Sequence, residues 1–336
     1  MMKNKKRTSK GSILIFSALL MVVFLGFGAL AINIGHLFLV RNQLQNAADS
    51  IALTGAKALF PAISSGPNWS QSQTIMQSIL SQFKIGDVTL SNATIQTGYW
   101  DLTQTKKGIF TISPPAVPSI NDIPAVKVTI SKSAGQNGGP VDLFFGSFLG
   151  LSAVDVSASS VAVSGAPSIV DPNTLYPIIL PLSLYTTYWD SSNGKPLIDP
   201  LTGNPYTFQI TSDGQNGNWT SFDTDENSVT AILNMMISGN PTSLKIGDPI
   251  WVQPGVKTSV YLSVPINVDV MVAIVDNTQA HASSPILGFG ALHIDFALGG
   301  ASKFIQGHLI NNLKIESSTP IGGVNYGVYT PPKLAN

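Results

Sequence analysis

The chain of 336 residues has no cysteine. Disulfide frameworks, thiolate metal sites and cysteine nucleophiles are therefore excluded together. Charge is scarce too, since Asp, Glu, Lys and Arg make up only 11% of the residues. Two glutamates, Glu226 and Glu316, are the whole supply of that acid, and paired-carboxylate hydrolysis depends on a spatial separation that spacing does not reveal. The four histidines, His36, His281, His293 and His308, show no metal-ligand spacing. No GxSxG elbow occurs, because Gly146-Ser147-Phe148-Leu149-Gly150 has its serine in the wrong slot. The glycine-rich places, Gly135 to Pro140 and Gly214 to Asn218, lack the Lys-Ser/Thr of a phosphate loop. No repeat of fixed period is present, which argues against solenoids and propellers. The reading is a protein without catalytic motif, cofactor or metal.

What charge there is lies unevenly. Lys3, Lys5, Lys6, Arg7 and Lys10 crowd in front of thirty residues, Gly11 to Val40, that carry no formal charge. A stretch from about Ser12 to Ile34 is long enough for a bilayer, which takes ~20 apolar residues, and a basic flank stays on the cytoplasmic side. Ala29-Leu30-Ala31 resembles a signal-peptidase site, but the apolar pattern continues through Ile32, Ile34, Leu37, Phe38, Leu39 and Val40. A signal h-region would give way to polar chain after ~7–15 residues. The expectation is a retained single-pass anchor with an exported body. Without its first ten residues the chain has 13 basic against 18 acidic groups, so no basic face remains for nucleic acid.

The apolar stripe outlasts the bilayer. Leu37, Val40, Leu44, Ala47, Ile51 and Ala58 recur at spacings of three and four, with Gly55 near the missing beat, so one helix is expected from Ser12 to Phe60, up to the stop at Pro61. Small residues on it let another backbone approach closely, as do Ala31 and Gly35 at small-xxx-small spacing. The candidate helix-assembly face is Ala31, Gly35, Leu44, Ala48, Ile51, Ala52 and Gly55. Packing of the same stripe on the chain's own head is the alternative, and both can hold on different faces. A second helix is expected over Ser70 to Lys84. The period then changes to two at Val88 to Tyr99, Ile109 to Ile112, Ala125 to Ile130 and Val154 to Val163, with a short apolar helix or turn at Val141 to Leu149. One helix on a small antiparallel sheet is the economical solution. Beyond the linker Ser164 to Asn173, short apolar runs separated by Asn/Gly/Pro/Asp turns favour a sandwich or open barrel, and only Asn227 to Ile237 looks helical. The expected class is α+β, with a basic tip at 1–10, an anchor helix at 11–60, an α+β module at 61–166 and a β-rich domain at 167–336.

Two motifs invite a ligand. Asp155-Val156-Ser157-Ala158-Ser159 matches the DxSxS metal-adhesion pattern, but Ser160 to Val163 continue it as a strand where a helix should begin. Asp223-Thr224-Asp225-Glu226-Asn227 clusters oxygens without the sixth-position glycine or twelfth-position acid of an EF-hand loop. The Asp223 cluster, or Trp69, Trp100, Trp189, Trp219 and Trp251 as a stacking platform, supports a second reading: a membrane-tethered glycan- or calcium-binding module.

The segment KGSILIFSALLMVVFLGFGALAINIGHLFLVRNQLQNAADSIALTGAKAL, above all RNQLQNAADSIALTGAKAL from Arg41 to Leu59, resembles the N-terminal helix of TadE/TadG-like proteins of the tight-adherence (Tad, or Flp) pilus assembly system. The likeness continues through TGYWD (Thr97 to Asp101), AVKVTI (Ala125 to Ile130), VDLFFGSFLG (Val141 to Gly150) and VDVSASSVAV. It extends more loosely through VAIVD, LGFGALHIDF and FIQGHL. The resemblance implies a bacterial inner-membrane protein with a periplasmic body, non-enzymatic, that supports pilus biogenesis, anchoring or adhesion. Implied partners are other Tad membrane subunits or pilins and the lipid bilayer, in a homo- or hetero-oligomer through the N-terminal helix. The module also resembles pilins. Two departures stand out: Gly11 is followed five residues later by Phe16, where pilin-like subunits carry Glu, and Asn33 stands where the family often has an acid.

Overall fold

A computed structural model describes residues 10–60, 67–111, 121–190, 194–211, 214, 216–226, 228–253, 258–311, 313–315 and 321–335. The topology residues Lys3, Lys5, Lys6 and Arg7, the stop at Pro61 and the expected helix start at Asn227 lie outside them. Contacts divide the chain into two compact units, which do not follow sequence order. One comprises Met1–Ile51, Gln77–Thr94 and Val128–Ser160, the other Ala52–Met76, Ile95–Lys127 and Val161–Asn336.

Helix α1 runs without interruption over Lys10–Ala58, 49 residues, or about 73 Å at ~1.5 Å per residue. No proline breaks it, and its glycines fall within long apolar turns of high helix propensity. Helix α2 covers Trp69–Ile79 and ends in a 3₁₀ turn at Leu80–Gln82, shorter than the expected Ser70 to Lys84. Asn68 caps α2, its Oδ1 accepting the Gln71 N–H at 3.0 Å. The strands are β1 (Thr94–Asp101), β2 (Asp122–Lys132) and β3 (Val156–Val163). They form one sheet with the strand Lys333–Leu334, in the order Lys333–Leu334, β3, β2, β1. At Ile109 to Ile112 the expected strand is reduced to a single bridge, Tyr99 to Phe110, among the described residues.

The distal region is a seven-stranded open sheet shaped as a half barrel. Its strands are β4 (Leu175–Pro181), β5 (Thr207–Thr211), β6 (Asn218–Trp219), β7 (Pro249–Val252), β8 (Val268–Val275), β9 (Ala282–Leu298) and β10 (Phe304–Leu309). The order is β5-β10-β9-β8-β4-β6, with β7 pairing the start of β9. Within this sheet, among the described residues, β4 and β8 are the one parallel pair. Both faces of the sheet are covered. Ile178, Leu180, Val272 and Ile274 belong to one core, and Leu175, Ile179, Met271 and Ala273 to another. That alternation explains why every residue of β4 is buried and why its sequence reads as a continuous apolar run.

Three helices serve this region: α3 (Leu182–Tyr188), α4 (Val229–Ser238) and α5 (Thr258–Tyr261). The sequence signalled only α4, whose cap is Ser228, with its Oγ accepting the Ala231 N–H at 3.1 Å. Among the short apolar runs expected to be strands, Tyr176 to Leu184 and Val260 to Val275 are strand only in part: Pro181 closes β4 and α3 follows, while α5 precedes β8. Helices of one or two turns are too short for their period to show in an apolar run.

Candidate assembly surface along the N-terminal helix

Helix α1 changes character along its length. From Ile13 to Leu39 most large apolar side chains are exposed, from 40% for Leu30 to 75% for Leu14. This is the one helix among the described residues long and apolar enough to cross a membrane. From Val40 the same helix is buried on one side, with Leu44, Ala48, Ile51, Ala52 and Ala56 wholly covered. Polar contacts fix that side. Gln45 Nε2 donates to the Ser159 carbonyl at 3.3 Å and to Asp49 at 2.8 Å, and the Gly86 N–H donates to Gln43 Oε1 at 3.2 Å.

The small residues have a local cause. At Gly55 an added Cβ would stand 2.3 Å from Met76 Sδ, and the Gly55 carbonyl accepts the buried Ser72 hydroxyl at 2.7 Å. Glycine is what lets α2 approach α1 here. Leu44, Ala48, Ile51, Ala52 and Gly55 are thus buried within the chain, whereas Ala31 and Gly35 remain exposed. Of the seven expected assembly residues, those two are what the helix leaves open to a neighbour.

At the end of the exposed stretch a polar residue is enclosed. Asn33 is 2% exposed, and its Oδ1 accepts the Phe145 N–H at 3.2 Å. Three residues on, the His36 ring lies 4.8 Å from that of Phe144. The sequence marks Asn33 only as standing where the resembled family often has an acid. The signal that it does more is an amide alone in an apolar run, which costs free energy unless bonded. Beside it, a groove of 460 Å³ is lined by Ile34, Leu37, Phe38 and Arg41 of α1 and by Asp155, Val156 and Ser157. The DxSxS letters therefore border an open groove shared with a guanidinium. They run into β3, so no helix follows to complete a cation cage.

The loop after TGYWD is organised by Asp101, which is 2% exposed. It accepts the Thr103 hydroxyl and N–H, the Thr105 hydroxyl and the Lys106 N–H. The Thr103 and Thr105 hydroxyls, followed by these backbone donors, hold its carboxyl well below the usual range. Lys106 Nζ in turn pairs with Asp122 at 2.8 Å. This is turn architecture, and Asp101 is a structural acid.

The distal ligand candidates lose their support. Trp189 and Trp219 are core residues, and none of the five tryptophans is exposed, so a sugar-stacking platform is not formed. Asp223 Oδ2 accepts the Thr242 hydroxyl at 2.7 Å. Asp269, His293 and His308 lie opposite one another across β8, β9 and β10. His293 Nδ1 is 2.6 Å from Asp269, and His308 Nδ1 is 3.0 Å from Asp295. No group of three or more His, Asp or Glu among the described residues has the geometry to hold a metal ion. A 260 Å³ depression lined by Tyr176, Met236, Asp269 and Lys314, among others, is open and carries no catalytic pairing. Burial first, and then Lys57, lower the affinity of Lys314 for its proton.

A long apolar helix at the N-terminus with a small sheet and a β-rich distal region defines an α+β protein with one candidate membrane span. Residues 11–58 match the TadE/G-like Flp pilus-assembly family (Tad), and residues 41–162 match the Tad-like Flp pilus-assembly family (Tad_C). Together the two matches span residues 11–162, somewhat under half of the chain, and over that region they support a TadE/TadG-like protein of the Tad pilus system. Searches of curated proteins and of solved structures gave no match. The first matched segment is the whole of α1 from Gly11 and the second reaches nearly to the end of β3.

Proposed function

We propose that the protein is a non-enzymatic component of Tad/Flp pilus assembly, held in the bacterial inner membrane by α1 with its body in the periplasm. Its work is to support pilus biogenesis or anchoring, and through it adhesion. Family membership supports the role in assembly. The observation that carries the rest is the division of α1 at Val40, with an exposed apolar length before it and a buried stripe after it. Exposed apolar surface of that extent is stable in lipid and costly in water. Partners, other Tad membrane subunits or pilins, meet the chain through the lipid-facing length of α1, where Ala31 and Gly35 permit close helix approach.

Deletion of the gene tests the role: surface pili and adhesion should be lost while pilin synthesis continues, and normal piliation would refute it. Topology is tested by adding protease to cells with a permeabilised outer membrane. The body should be degraded and the first ten residues protected; a protected body would reverse the assignment.

A further inference from the structure

The hairpin between Val141 and Val154 has a surface that the assembly role does not use. Between Asp142 and Asp155 there are twelve residues without a charge. Phe144 is 68% exposed and Leu151 55%, with Phe145 exposed beside them. We propose that this hairpin is a second membrane contact, with Phe144, Phe145 and Leu151 seated in the interfacial layer of the leaflet through which α1 leaves the bilayer. The inference rests on α1 being a membrane anchor.

Depth is the main argument. From Ile13, the first residue of the candidate span, to Asn33 is twenty residues, about 30 Å of helix and equal to the ~30 Å hydrocarbon core. The hairpin is fastened at that level, through the Phe145 N–H on Asn33 and the Phe144 ring against His36. The adjacent α1 side chains Ile34, Phe38 and Leu39 are exposed as well, so the apolar surface is continuous from helix to hairpin. Aromatic side chains at this depth suit the boundary between acyl chain and headgroup.

The hairpin is also built to hold its shape. Val141 pairs with Val154 and Asp142 with Ala153. The Leu143 N–H donates to the Ser152 carbonyl at 2.9 Å and the Leu151 N–H to the Gly146 carbonyl at 3.0 Å. A Cβ at Gly146 would fall 1.9 Å from the Leu151 carbonyl oxygen, so only glycine closes this loop. A closed loop presents its aromatic side chains as a fixed wedge, at little entropic cost on insertion.

The absence of cysteine makes the test clean. Full-length Phe144→Cys and Leu151→Cys variants, with Leu20→Cys and Leu201→Cys as references, are each labelled with an environment-sensitive fluorophore. They are then reconstituted in phosphatidylethanolamine/phosphatidylglycerol vesicles. Nitroxide-bearing lipid should quench positions 144, 151 and 20 several-fold more than position 201, with aqueous iodide showing the reverse. If 144 and 151 follow 201 while 20 is quenched by lipid, the hairpin proposal fails and the anchor stands. If 20 itself escapes lipid quenching, the anchor reading fails first. Shielding of 144 and 151 from both quenchers would overturn the proposal in favour of a second copy of the chain on the hairpin.

Discussion

The two halves of α1 use one secondary structure for two environments. Before Val40 the side chains are large, branched and uncovered; after it the buried positions are largely alanine and glycine, and the chain itself covers them. Large apolar residues gain from lipid along the whole circumference of a helix, whereas a helix pressed against strands and another helix gains from close backbone approach. Small residues on a helix that carries a candidate membrane span therefore need not mark an intermolecular face. Between Leu44 and Gly55 they mark an intramolecular one.

That difference can be broken from either side. The largest effect is expected from Gly55→Leu, whose side chain would occupy the place of Met76; cooperative thermal unfolding should be lost. Ala48→Leu and Ala52→Leu, at wholly covered positions, should each cost about 1–3 kcal/mol through overpacking, read as a lower melting temperature in detergent. If these three variants melted normally but lost crosslinks to other subunits, the buried half would be an intermolecular face after all. Phe60→Ala removes a ring stacked 3.8 Å from that of Tyr329 and should destabilise by about 3–5 kcal/mol.

Smaller effects sharpen the picture. Ser72→Ala deletes the buried donor to the Gly55 carbonyl and should cost about 1 kcal/mol. Asp101 has a depressed folded-state pKa, so its contribution is present above the unfolded value of about 3.9 and is lost as pH falls below it toward the folded value. Asp101→Asn should flatten the loss of stability in that acid window while the slope between pH 5 and 8 stays unchanged. Ala31→Leu and Gly35→Leu, on the exposed half, should leave melting unaltered and reduce crosslinking to neighbouring membrane subunits; unaltered crosslinking would remove those two positions from any interface.

Much of this architecture was legible because it is local. The spacing of Leu37, Val40, Leu44, Ala47 and Ile51 reports one helix face directly, and α1 has the expected 49 residues. The family likeness lies in the same local letters. What the sequence hid depends on distance along the chain. Asn33 finds Phe145 across 112 positions, and nothing in either neighbourhood announces the other. The two-sided core around β4 reads as an apolar run whatever its secondary structure, so α3 was absorbed into a strand. Likewise Asp269, His293 and His308 become neighbours only through strand register. Gly55 looked like a gap for another chain because Met76, which fills it, sits on a separate helix.

The division at Val40 is tested most directly by removing residues 1–32, which keeps Asn33 and its bond to Phe145, and following both membrane attachment and folding. The expected product is extracted from membranes by alkaline carbonate and melts cooperatively within a few degrees of the full chain. A product that resists carbonate, or that no longer melts cooperatively, would contradict the assignment of one half of α1 to lipid and the other to the protein's own core.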